Sequence, residues 1–203
     1  MNKARFEAFS DGVFAFAITL LALGFVLPAM RMPSNRELAT ALLHLWPNFI
    51  AYALSFSVIG IMWQNHHALF RVVRHVDRMT VFWNLLLLAG TVLIPFATTT
   101  LGSYPTLPAA AFLYGVVLTA CATSYNLMLQ HLVRTDAFDP AIDRAAIAAT
   151  LRGYRTGWMV YAGATLMSLW FPIASFALYV AIVAYFLVPR GADSDLPLSA
   201  RRW

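Results

Sequence analysis

The chain has 203 residues, 61% of them hydrophobic and only 11% charged. A soluble domain carries about a quarter charged residues, so this chain cannot clothe itself in polar surface and lipid is its solvent. Its formal charge of +5 fits a basic face beneath an anionic leaflet and needs no nucleic-acid partner.

The first element opens on Arg5-Phe6-Glu7-Ala8-Phe9-Ser10-Asp11 and carries no charge from Gly12 to Met30. The run is too long for a cleaved leader and lacks a small-residue cleavage site, so Phe9–Met30 is expected to span the bilayer. Asp11 then lies at the mouth of the span, where ionisable groups are costly and functional by default, and Arg5 is the expected partner of Ser10 and Asp11. Ser34, followed three residues later by Glu37, reads as a helix start and predicts a short amphipathic helix. Further spans are expected at Pro47–Phe70, Thr80–Leu101, Leu107–His131, Gly153–Phe171 and Pro172–Val188. The last two abut at Trp170-Phe171-Pro172. As one helix they would extend roughly 54 Å, so two spans are preferred. Asp139-Pro140 reads as an N-cap with a first-turn proline, opening a helix over Ala141–Arg152 that leads into the fifth span. The six-helix unit is expected to occupy residues 1–189, and 190–203 form a polar tail.

Six spans put both termini on one side. Lys3, Arg5, Arg71, Arg74, Arg78, Arg134, Arg144, Arg152, Arg155, Arg190, Arg201 and Arg202 fall on that side, against Arg31 and Arg36 on the other. The positive-inside rule makes the richer side cytoplasmic. The expected class is an all-α, multi-pass cell-membrane protein.

Trp63-Gln64-Asn65-His66-His67, with His75 and Asp77 nearby, invites a metal reading. Adjacent histidines diverge by about 100° on a helix, whereas helical metal pairs sit at i, i+3 or i, i+4, so no metal is expected. His66 or His67 is instead expected to reach Ser10 or Asp11. Enzyme signatures are absent: there is no Gly-x-Ser-x-Gly, no His-Glu-x-x-His and no Walker loop. Leu113-Tyr114-Gly115-Val116 lacks the rest of a potassium-channel carbonyl filter. Gly153 and Gly157 have the small-xxx-small spacing of close helix contacts. The lone Cys121 forms no intrachain disulfide and reads as a packing residue. On the first helix, Gly12, Phe16, Thr19, Leu20, Leu23 and Leu27 share one face. A single hydroxyl among apolar side chains suits a narrow pore with constrictions that dewet.

Arg5-x-x-x-Phe9-Ser10-Asp11 at the start of a first helix resembles the signature of the transmembrane protein 175 family of lysosomal and bacterial cation channels, chiefly for potassium. Trp63, His66, His67, Asn84 and Pro95-Phe96 are similar to that family as well. The resemblance implies a homotetramer with the first helix of each subunit lining the pore. Phe16, Leu20 and Leu23 would be the apolar constrictions and Thr19 the hydroxyl ring. Arg5, Phe9, Ser10, Asp11, His66 and His67 would form a structural network at the inner mouth. The resemblance implies isoleucine or leucine where Phe16 stands, which leaves the width of that constriction open. The permeant ion would be potassium, with sodium and protons open, and no cofactor is implied. The rival reading is a proton- or ion-coupled transporter using Asp11 with His66 or His67.

Overall fold

A computed structural model of the chain describes residues 2–32 and 34–187 and is all helical apart from one isolated bridge. In chain order the helices are α1 (Lys3–Leu20), α2 (Asn35–His44), α3 (Trp46–Val72), α4 (Arg78–Ser103), α5 (Pro108–Arg134), α6 (Arg144–Met167) and α7 (Pro172–Leu187). The expected end of the sixth span at Val188, and the tail 190–203, lie outside the described residues.

The starts follow local chemistry. Asn2 caps α1 through Ala4 N at 3.0 Å. Ser34 and Glu37 form the expected reciprocal cap of α2, with Ser34 N donating to Glu37 at 2.7 Å and Glu37 N donating back to Ser34 Oγ at 3.3 Å. Proline occupies the first turn of both α3 and α5, where its missing N–H costs nothing. Asp77 caps α4 through Thr80 N at 2.8 Å.

Two boundaries differ from expectation. α1 tightens into a 3₁₀ turn at Leu21–Gly24 and stops there, six residues before Met30. Gly24 lies against Thr99 of α4 so closely that a Cβ would overlap its hydroxyl. Asp139 does not cap the sixth helix; it caps a turn through Ala141 N at 2.9 Å, and Asp143 is the true N-cap. The cause is non-local. Val73 pairs with Phe138, and Arg74 N and Asp139 N bond to Ala137 O and Val72 O, each at 2.9 Å. Residues 137–139 are thereby held extended and cannot join a helix.

α4 and α5 form the central pair. Among the described residues α1 packs on α3 and α4 only, α6 on α5 and α7 only, and α7 also reaches α3 and α5. α1 and α6 therefore lie at opposite margins of the subunit. Between them is an apolar core with paired hydroxyls: Thr98 Oγ1 donates to Ser55 Oγ at 2.7 Å, Ser55 pairs with Tyr114 at 3.0 Å, and Thr119 pairs with Thr165 at 3.0 Å. In lipid such groups need internal partners. Tyr114-Gly115 is a packing element, since a Cβ on Gly115 would fall on Tyr179 and Thr165. Cys121 is buried with its sulfur against Gly90. The expected close contact at Gly153 and Gly157 is not made within the subunit; a Cβ at either would meet nothing within 4 Å.

Four helices, α1 with its 3₁₀ turn, α3, α4 and α5, are long and apolar enough to cross a membrane. Among the described residues α6 carries three arginines and α7 has only 16 residues. The chain is a multi-pass membrane protein.

Candidate functional site: the first helix and its anchor

Phe6, Ser10, Phe14 and Ala17 recur at helical spacing along one side of α1 and are all buried. That side carries the polar anchor. Ser10 is 0% exposed and donates to Phe6 O at 3.0 Å. Its oxygen accepts from Asn84 Nδ2 of α4 at 2.9 Å, and Asn84 Oδ1 lies 2.9 Å from His66 Nε2 of α3. With Asn84 Nδ2 committed to Ser10, its carbonyl oxygen must accept, so consistency assigns the proton to His66 Nε2. Every donor in the chain His66–Asn84–Ser10–Phe6 then has an acceptor. Phe6, Phe14 and Phe70 surround the His66 ring at centroid distances of 6.0, 5.5 and 4.6 Å. Three helices are tied together through one buried serine.

Asp11 is anchored separately. Trp63 Nε1 of α3 donates to its carboxylate at 2.9 Å. His67 stacks on Trp63 at 6.0 Å and is exposed. The expected pairing of Arg5 with Asp11 is not found: among the described residues no ion pair joins them, and Arg5 is exposed. Six positions separate the two residues, so they lie about 240° apart around α1. His66 reaches Ser10 only through Asn84, and neither histidine bonds to Asp11. Asp11 and His66 thus lie on separate bonds. Trp63 and Asn84 are the linking residues that pairwise reasoning from charge passed over. The available signal was an amide and an indole at fixed positions in otherwise apolar helices, where polar groups need partners.

The opposite side of α1 is unpacked. Phe9, Gly12, Phe16, Thr19 and Leu23 are exposed, Phe16 at 61% and Leu23 at 73%. Leu20 is half-buried, on the flank of this stripe. Leu27 lies past the end of the helix, so helical spacing does not place it; with Val26 and Pro28 it lines a cleft of about 700 Å³ against Arg36, Thr40 and His44 of α2. Thr19 Oγ1 donates to Phe16 O at 2.7 Å. Its proton is therefore used within the helix and its lone pairs face outward.

A second polar clip joins the α3–α4 and α5–α6 connections. Asp77 accepts from Thr80 Oγ1 at 2.6 Å and pairs with His131 Nε2 at 2.7 Å. Burial alone would raise the Asp77 carboxyl. The hydrogen bonds from Thr80 and His131 outweigh it and hold the group at about 2.

Residues 5–95 match the family model described as the endosomal/lysosomal potassium channel TMEM175. A potassium channel of Streptomyces collinus is 42% identical over 167 residues, covering 79% of this chain and 80% of that protein. The endosomal/lysosomal proton channel TMEM175 of Gallus gallus is 39% identical over 105 residues, 48% of this chain and 21% of that protein. The crystal structure of a lysosomal potassium-selective channel TMEM175 homolog from Chamaesiphon minutus superposes with a TM-score of 0.81 at 35% identity, covering 91% of this chain and 95% of that one.

Proposed function

Because this chain belongs to the TMEM175 family, we propose that it is a potassium-selective or weakly selective cation channel whose pore is lined by α1 of each of four identical subunits. The observation that carries this reading is the division of α1 into a polar, packed side and an apolar, unpacked side with one hydroxyl. One helix per subunit cannot enclose a pore, and closed rotational symmetry is the usual solution. Four copies of α1 turned inward would stack Phe16, Leu20 and Leu23 as apolar rings with Thr19 among them. The twelve-to-two distribution of basic residues supports cytoplasmic termini and six crossings, with α6 and α7 as the fifth and sixth.

An ion crossing apolar rings sheds part of its hydration shell or waits for the pore to wet. Potassium is held less tightly by water than sodium, so such a constriction favours it without a carbonyl filter. The outward lone pairs of Thr19 replace some of the lost water ligands. Arg5, Phe9, Ser10, Asp11, His66 and His67 act at the inner end as structure, not as ligands of the ion.

The test is the reversal potential under a potassium/sodium gradient in a planar bilayer. Thr19→Val keeps the shape and removes the hydroxyl, and it is expected to weaken the preference for potassium. Phe16→Ala or Leu20→Ala widens a ring and is expected to raise conductance. Variants at Phe16, Thr19 and Leu20 that leave both current and reversal potential unchanged, while Val13, Ala17 or Leu21 variants alter them, would overturn the assignment of the pore face.

A further inference from the structure

The three arginines of α6 differ in their surroundings. Arg144, in the first turn, has Asp136 at 3.7 Å. Arg152 and Arg155 lie about two and three turns further along. Both are exposed, and among the described residues no carboxylate forms an ion pair with either. At i and i+3 they are neighbours on one side of the helix. That side continues as Thr156, Met159, Gly163 and Leu166, all exposed and uncharged, toward the exposed Trp170 and Phe171 at the turn into α7.

The length of α6 puts these arginines deep. From Arg152 to Met167 the helix rises about 23 Å, and from Arg155 about 18 Å, against a hydrocarbon thickness of about 30 Å. Trp170 and Phe171 suit a membrane interface. With Trp170 at the boundary, Arg152 and Arg155 fall about 3 to 8 Å short of the opposite one. A guanidinium at that depth must snorkel, or draw polar lipid inward and thin the bilayer. A phosphodiester is the group that best satisfies two adjacent guanidiniums, because it accepts paired N–H bonds and supplies the missing charge.

We propose that Arg152 and Arg155 hold the phosphate of an anionic phospholipid whose acyl chain lies along Thr156, Met159, Gly163 and Leu166. The inference rests on the channel reading in one respect: with α1 at the axis, α6, which among the described residues touches only α5 and α7, lies at the rim against lipid.

Native mass spectrometry of the purified full chain, titrated with phosphatidylglycerol and with phosphatidylcholine, tests it. The wild type is expected to carry phosphatidylglycerol in preference, and Arg152→Gln/Arg155→Gln to lose about tenfold in that preference. Arg152→Lys/Arg155→Lys is expected to keep part of it. Arg71→Gln/Arg74→Gln, at two other exposed arginines, is expected to change nothing. Should the double glutamine variant not fold, Arg155→Gln alone is read in the same way. Undiminished phosphatidylglycerol binding in the glutamine variant overturns the proposal, and so does an equal loss in the Arg71/Arg74 control. Displacement of the lipid by soluble glycerol phosphate at matching concentration would mark a site for any phosphate and overturn it too. The readout does not depend on conduction. A chain that binds the lipid but passes no current sinks the channel reading alone; a conducting chain without lipid preference sinks this one alone.

Discussion

Asn84 is the point at which the anchor of α1 is most exposed to a single substitution. Asn84→Leu keeps the branched shape and heavy-atom count of the side chain, so it leaves no cavity. It removes two hydrogen bonds, and the two stranded partners lose unequal amounts. His66 Nε2–H, on a side chain 1% exposed and caged by three phenylalanines, is left with no acceptor. An unsatisfied buried donor costs about 1–3 kcal/mol. Ser10 still donates to Phe6 O and loses only an incoming bond, worth about 0.6 kcal/mol between membrane helices. The expected destabilisation is about 2–3 kcal/mol, read as the shift in the SDS-induced unfolding midpoint in mixed micelles.

A double-mutant cycle sharpens this. His66→Phe fits the aromatic cage but strands Asn84 Oδ1, and is expected to cost about 1–2 kcal/mol. In His66→Phe/Asn84→Leu neither partner remains unsatisfied, because replacing both ends of a buried hydrogen bond by apolar groups is nearly neutral. The double variant should therefore be more stable than the sum of the singles by about 2–4 kcal/mol. Strict additivity, within about 0.3–0.5 kcal/mol, would refute the hydrogen-bonded chain through Asn84.

Asp11→Ala and Trp63→Phe each break the same exposed bond, so each is expected to cost about 1 kcal/mol, and the double variant no more than either; larger losses for Asp11→Ala in unfolding assays would mark a second partner. Arg5→Gln is expected to leave the stability of the isolated subunit unchanged in the same assay, since no bond within the chain depends on it. Asp77→Asn tests the clip: the carboxyl is depressed from 3.8 to about 2, so its stabilisation is present above pH about 4 and is lost as pH falls toward 2. At 41% side-chain exposure the effect stays under about 1 kcal/mol, and a wild-type advantage that persists unchanged to pH 2 would contradict it. Gly115→Ala is expected to lower the melting temperature through overpacking of about 1–3 kcal/mol against Tyr179 and Thr165.

What the sequence made legible was local chemistry and bulk partition. The Ser34–Glu37 cap acts within a few residues and appears where expected, and the runs Pro47–Phe70, Thr80–Leu101 and Leu107–His131 coincide with α3, α4 and α5. Misreadings came where a distant segment decides. Asp139-Pro140 has every local feature of a helix start, but Phe138 is paired with Val73 more than sixty positions away, so the helix waits for Asp143. Glycine is required at position 24 because Thr99, 75 positions away, occupies the space a side chain would need. Arg5 was the obvious partner of Asp11 by charge, but six positions along a helix put the two on different sides, and an indole from α3 takes the carboxylate. Charge attraction was legible; angular position around the helix was not weighed against it.

Angular position also links the anchor to the apolar stripe. Ser10 and Thr19 are nine residues apart, so they project about 180° from each other around α1. Gly12 and Phe16 fall within about 60° of Thr19, while Leu20 lies only about 80° from Ser10, which accounts for its half-burial on the flank. The bonds from Asn84 to Ser10 and from Trp63 to Asp11, two adjacent residues held by two different helices, fix the rotation of α1 about its own axis. A slip of one residue would turn the helix by about 100°, bury Thr19's neighbours and strand Asn84. The polar motif thus specifies which side of α1 remains unpacked without itself lying on that side. Substitutions in it should alter conduction only through assembly and helix rotation, and their effects should fall together on stability and current.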